Sequence, residues 1–165
     1  MSESSTISRR RALQGLGAMG VVAASGSLAL PMPGPASAQA LGGQESVQDA
    51  LKRVFGDRPL KDGGSVVKLE VPLIAENGAV VPVAVEVASP MTPANHVKAI
   101  YVVADKNRIP VVTRAVFAPE AGQAYMGANI RLGETGDVRA IAELSDGTLL
   151  QAKREVKVTV GGCGG

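Results

Sequence analysis

The spacing of apolar residues changes once along this chain, and that change organises it. From Gln44 to Phe55, the residues Val47, Ala50, Leu51, Val54 and Phe55 recur at i, i+3, i+4, i+7 and i+8, the period of an amphipathic helix. Ser46 stands where an N-cap belongs and Gly56 where a helix stops. A stripe of this kind has to be buried, either on the rest of the domain, which we favour, or on a partner subunit. Beyond Ser65 the period shortens to that of strands. Val66–Ala75, Val80–Val87, Val97–Ala104, Val111–Ala118, Ala124–Leu132, Val138–Leu144 and Thr148–Val160 are rich in β-branched and apolar residues, and turn signals such as Glu76-Asn77-Gly78 and Ser145-Asp146-Gly147 separate them. Pro82 shifts its strand toward an edge or a bulge. Ser89-Pro90-Met91-Thr92-Pro93 forms a loop. In the last strand Val156, Val158 and Val160 share one face, and Glu155, Lys157 and Thr159 the other. About seven short strands at this spacing predict an all-β, immunoglobulin-like sandwich preceded by one short helix.

Composition changes that picture in one respect. The chain has no Trp, two Phe, two Tyr and one Cys, so neither a buried indole nor an intersheet disulfide holds the sandwich. Val, Ile, Leu and Ala carry the packing, and a partner subunit is expected to add to it.

The first 38 residues read as a leader rather than as fold. Ser8-Arg9-Arg10-Arg11-Ala12-Leu13 is basic, the run to Leu30 is weakly apolar, and Ala36-Ser37-Ala38 offers a small-residue cleavage pattern. Paired arginines at this place point to twin-arginine export, with an ordinary secretory signal as the alternative and Ala12 as a departure from the usual large apolar residue. Glycines and serines in the run argue against a membrane anchor. Gly15-Leu16-Gly17-Ala18-Met19-Gly20 has the letters of a dinucleotide-binding loop. It lacks the strand before it and the packed helix after it that would aim amides at a pyrophosphate. Arg9, Arg10 and Arg11 leave with the leader, as does Glu3, and the remaining basic and acidic residues are equal in number. A neutral domain without a basic cluster has no electrostatic footprint for nucleic acid and is inclined to associate with another protein.

The inventory then excludes most catalytic chemistry. His96 is the single histidine and sits in a loop after Pro93. There is no Cys/His set at zinc spacing, no nucleophile elbow, no phosphate loop, and no pairing of carboxylates for acid–base work. No cofactor or resident metal is expected. The exception is Gly161-Gly162-Cys163-Gly164-Gly165. An unpaired cysteine in an exported chain is unusual, and glycines on both sides remove bulk and free the backbone. Read as an arm, three residues beyond Val160 carry the sulfur on the order of 10 Å past the sandwich, far enough to enter another protein's active site. The neighbouring C-terminal carboxylate disfavours the thiolate and no basic residue lies closer in sequence than Lys157, so the residue looks like a carrier and not a catalyst. Two alternatives stay open. The tail could form intermolecular disulfides on an exported adhesion or interaction sandwich, or Gly164-Gly165 could load sulfur on the terminal carboxylate, as ubiquitin-like carriers do. Prenylation requires the cysteine one position earlier.

Val158-Thr159-Val160-Gly161-Gly162-Cys163-Gly164-Gly165 resembles the C-terminus of the SoxY family, the substrate carriers of the periplasmic thiosulfate-oxidising Sox system. Val71-Pro72-Leu73-Ile74-Ala75-Glu76-Asn77-Gly78, Ser89-Pro90-Met91-Thr92, His96-Val97-Lys98-Ala99-Ile100 and Leu144-Ser145-Asp146-Gly147 are also similar to that family. The resemblance implies covalent attachment of thiosulfate to Cys163 as an S-thiosulfonate, with Gly161, Gly162, Gly164 and Gly165 as the arm. It implies a heterodimer with SoxZ in the periplasm. It also implies processing by the c-type cytochrome SoxAX, the manganese hydrolase SoxB and, in some bacteria, the sulfur dehydrogenase SoxCD. The organisation expected is a leader over 1–38, a helix and sandwich over 39–160, and an arm over 161–165.

Overall fold

The computed structural model describes residues 43–162; the leader, Cys163, Gly164 and Gly165 lie outside the described residues. Among the described residues are one α-helix, one short 3-10 helix (Pro119–Ala121) and nine strands, and the strands form two sheets. The helix α1 (Val47–Phe55) starts at Ser46, whose hydroxyl accepts from the Asp49 N–H, and ends at Gly56 with φ 66°, whose N–H returns to the Lys52 carbonyl. Both caps stand where the sequence places them.

The strands are β1 (Leu60–Asp62), β2 (Val67–Glu70), β3 (Ile74–Ala75), β4 (Val81–Val87), β5 (Val97–Ala104), β6 (Val111–Val116), β7 (Ala124–Ile130), β8 (Gly136–Leu144) and β9 (Leu149–Val158). One sheet runs β1-β9-β8-β5-β6, with β3 also paired to β9; the other runs β2-β4-β7. The count exceeds seven for two reasons. Pro72, without an N–H, divides the expected Val66–Ala75 strand into β2 and β3. The short, largely polar Leu60-Lys61-Asp62 pairs in parallel with Leu149–Gln151, which no alternation announces. Pro82 lies inside β4, between two neighbours, yet it behaves as an edge residue. The β2 ladder stops at Glu70 opposite Ala84, so nothing on that side needs a Pro82 N–H. The β4–β7 register runs unbroken from Val81 to Val87, without a bulge.

The two faces of the large sheet explain why β5 reads as a nearly continuous apolar run. Ile100, Val102 and Ala104 point inward to the core that Val81, Val83, Val85 and Val87 complete from β4. Ala99, Tyr101 and Val103 point outward and are covered by α1, with Phe55 edge-on to Tyr101 at 4.9 Å. A strand buried on both faces loses its alternation. The helix therefore docks on its own domain. The small sheet has no such cover, and β4 alternates cleanly. The expected common face of Val156, Val158 and Val160 holds only in part. Val156 is fully buried, whereas the chain bends away after Val158 and leaves Val160 64% exposed.

Candidate functional site

The end of β9 delivers the chain to the C-terminal glycines, and a set of short contacts fixes where it leaves the sandwich. On one side Thr159 N–H donates to the Ala75 carbonyl and the Thr159 hydroxyl donates to the Glu76 carbonyl at 2.8 Å. On the other the Val158 N–H donates to the Thr135 hydroxyl at 2.9 Å. The turn after β3 closes over the same point. Asn77 Oδ1 accepts from the Ala79 N–H, and the Gly78 N–H donates to the Val160 carbonyl at 2.7 Å. Gly162 then donates its N–H to the Leu132 carbonyl at 3.0 Å, and Leu132 donates its own to the Gly78 carbonyl at 2.7 Å. Gly78, Leu132 and Gly162 are thus tied together by main-chain bonds alone.

Backbones approach this closely because no Cβ stands between them. A Cβ at Gly162 would lie 2.7 Å from the Gly78 oxygen and 2.8 Å from Ala79 Cα. One at Gly78 would meet the Leu132 carbonyl oxygen and lie 2.9 Å from Val158 Cγ1; one at Gly161 would collide with the Gly133 carbonyl oxygen. Here glycine supplies close approach, not only freedom of φ and ψ. Of the residues expected to form the flexible arm, Gly162 is buried and Gly161 exposed, and at both positions a Cβ would meet main-chain atoms of the domain. Cys163, Gly164 and Gly165, the other residues of the expected arm, lie outside the described residues.

The hairpin that holds Gly162 is itself braced. Asn107, the buried polar residue beyond the end of β5, donates from Nδ2 to the Arg131 carbonyl at 2.7 Å and accepts the Gly133 N–H on Oδ1 at 3.1 Å. A buried amide with both ends satisfied fixes the loop on either side of Leu132. The sequence reading missed this role for Asn107 and Leu132, since a loop asparagine between Lys106 and Arg108 looks solvated. It read Gly78 only as a turn residue.

His96 is remote from this site. Its ring Nδ1 lies 3.2 Å from the Thr92 carbonyl, and its N–H donates to the Ser145 hydroxyl. It therefore sits at the β8–β9 turn, whereas the glycine clasp sits at the far end of β9. Ten residues of strand separate the two ends, about 30 Å at the ordinary rise per residue. Among the described residues no three His, Cys, Asp or Glu come together as a metal group, and no helix is long and apolar enough to cross a membrane.

Comparison with known proteins then bears on what leaves this clasp. Residues 51–163 match the protein family described as sulfur oxidation protein SoxY, a match that runs through the cysteine. The sulfur carrier protein SoxY from Chlorobium limicola f thiosulfatophilum is structurally similar, with a TM-score of 0.58 and 29% identity over 70% of this chain and 97% of that one. The E23A variant of superoxide reductase (neelaredoxin) from Ignicoccus hospitalis aligns with a TM-score of 0.52 and 22% identity, covering 56% of this chain and 79% of that one. Superoxide reductase from Nanoarchaeum equitans aligns at 0.50 and 14% identity, covering 59% and 100%. At such identities the reductases share the fold alone. No curated protein matches the sequence.

Proposed function

The chain belongs to the SoxY family of sulfur oxidation proteins, and from that premise we propose that it is a covalent sulfur carrier acting through Cys163. The observation that carries the reading is the exit of the chain from the clasp. The described chain ends at Gly162, whose N–H donates to the Leu132 carbonyl, and the next residue is the single cysteine of the sequence. A carrier needs its attachment atom within reach of other proteins, and a lone cysteine one residue beyond the clasp, with glycines on both sides, supports that reading. The two-sheet sandwich also counts against the ubiquitin-like alternative, which is built on a different fold.

In this reading the Cys163 thiol and thiosulfate are joined by an S–S bond, giving an S-thiosulfonate and releasing the thiol proton. The two electrons withdrawn pass to a c-type cytochrome, the role that family membership suggests for SoxAX. Water then cleaves the bond between the terminal sulfonate and its neighbouring sulfur. Sulfate departs and a persulfide stays on Cys163, the hydrolysis assigned to SoxB. Where SoxCD is present it oxidises that remaining sulfur, and a second hydrolysis regenerates the thiol. The chain supplies attachment and presentation and no catalytic group. We further propose that it works in the periplasm after twin-arginine export, paired with SoxZ.

Replacing Cys163 by Ser tests the reading. Thiosulfate-dependent oxygen uptake in the reconstituted system should vanish, while folding and subunit association persist. Turnover retained by the serine variant overturns the proposal.

A further inference from the structure

Asn107 spends its whole side chain on the segment that receives the end of the chain. It is a buried polar residue, 6% exposed, in the turn after β5. Its Nδ2 donates to the Arg131 carbonyl and its Oδ1 accepts the Gly133 N–H, so one amide grips both sides of Leu132. The Leu132 side chain packs into the core, and both its main-chain groups are engaged. Its N–H donates to the Gly78 carbonyl, and its carbonyl accepts the Gly162 N–H. The turn that carries Asn107 is anchored on the large sheet. The Asn107 N–H donates to the Ala104 carbonyl at 3.1 Å and the Asp105 N–H to the Asp137 carbonyl at 3.0 Å. Arg139 in β8 clamps the Asp105 carboxylate through two nitrogens. A continuous run of hydrogen bonds thus leads from β5 and β8, through one side chain, to the last residue before Cys163. An apolar residue of the same size would leave the Arg131 carbonyl and the Gly133 N–H unpaired, and the segment free to turn.

The consequence falls on the reach of the sulfur. With the Gly162 N–H held, one residue step and one side chain separate its Cα from the Cys163 sulfur, on the order of 7 Å. With that bond lost, the next main-chain bond back is the one from Gly78 to the Val160 carbonyl. Three residues and a side chain then give a reach on the order of 13 Å, and a search volume roughly sixfold larger. An enzyme that has met the body of the carrier finds the sulfur by an intramolecular search. A larger volume lowers the effective concentration of the sulfur in that search. We propose that Asn107 is a positioning residue for the carrier reaction: acting through Leu132, it holds the root of the arm and keeps the cysteine-bound group concentrated where visiting enzymes collect it. The proposal rests on the carrier reading of Cys163.

Asn107→Ala and Asn107→Asp in the assembled mature carrier test it, with Val102→Ala, in the core of β5, as the control for lost stability. The aspartate keeps the size and the acceptor but sets a carboxylate oxygen against the Arg131 carbonyl. It replaces the alanine if that variant does not fold. The S-thiosulfonate-loaded proteins are supplied to purified SoxB hydrolase, and amide exchange is followed by NMR on the unloaded carrier. Both Asn107 variants should lower kcat/KM for the carrier about fivefold, chiefly through KM, the loss that the larger search volume sets. The Gly162 amide should lose its protection while amides of β5 and β8 keep theirs. Val102→Ala should leave kcat/KM within twofold and Gly162 protected. An unchanged kcat/KM overturns the proposal, and so does a fall with Gly162 still protected. An equal fall in Val102→Ala, or failure of both Asn107 variants to fold, also overturns it, since Asn107 would then act through stability alone. Failure of the unmodified protein to accept sulfur on Cys163 is a different result and sinks the carrier reading instead.

Discussion

Gly162 and Gly78 meet backbone to backbone: the Cβ of any other residue at Gly162 would stand 2.7 Å from the Gly78 carbonyl oxygen. The hydrogen bonds Gly162→Leu132 and Leu132→Gly78 close the contact into a clasp at the end of β9. The point where the chain leaves the sandwich is thereby fixed, and the reach of the residue that follows is limited by covalent geometry.

Valine at Gly162 is expected to destabilise the folded domain by about 1–3 kcal/mol, because main-chain atoms on both sides of the position have to move apart. Urea unfolding of the mature domain measures it. The same variant should expose the C-terminus to carboxypeptidase, since the Gly162→Leu132 bond no longer forms. Equal stability and equal protection in the variant would mean that Gly162 is not clasped in solution. Slowed sulfur loading by such a variant would then report a displaced arm root as well as a stiffer arm.

A second expectation concerns acid. Glu143 in β8 accepts from Arg58 at 2.8 Å and from the Tyr101 hydroxyl at 3.3 Å, tying the segment after α1 to the large sheet. Burial pushes its carboxyl up. The hydrogen bond and charge of Arg58, with Lys98 and Tyr101, together outweigh burial and hold it below the usual 4.5. A carboxylate whose pKa is depressed by folding stabilises the fold above its unfolded value and loses that contribution as pH falls through the folded one. Stability should therefore decline below about pH 4.5, and Glu143→Gln should remove that part of the slope. Because Arg58 is more than one-third exposed, solvent screening keeps the contribution to about 1 kcal/mol or less. Parallel pH–stability curves for wild type and variant would contradict it.

Much of this architecture was legible in the residues. The periodicity of Val47 to Phe55, with Ser46 and Gly56 at its ends, located the helix to within three residues, because both caps use local chemistry. Val97–Ala104 was recovered end to end. Periodicity could not announce β1, whose pairing partner lies 89 residues away at Leu149–Gln151, or the break at Pro72. The site divided in the same way. Cys163 stands out by its isolation and its glycines, which are local features. The clasp is non-local: Gly78, Asn107, Leu132 and Gly162 are distant in sequence, and a glycine needed for close approach looks the same in a sequence as one needed for flexibility.

The central claim, that sulfur rides on Cys163, is tested most directly by the intact mass of the mature carrier after incubation with thiosulfate and SoxAX. The account predicts an added mass of one thiosulfate, removed completely by a reducing thiol because thiol exchange attacks an S–S bond. It should persist when Gly164 and Gly165 are deleted and be absent in Cys163→Ser. An adduct that resists the reducing thiol, or that disappears with the terminal glycines while Cys163 remains, would place the sulfur on the carboxylate and contradict the account.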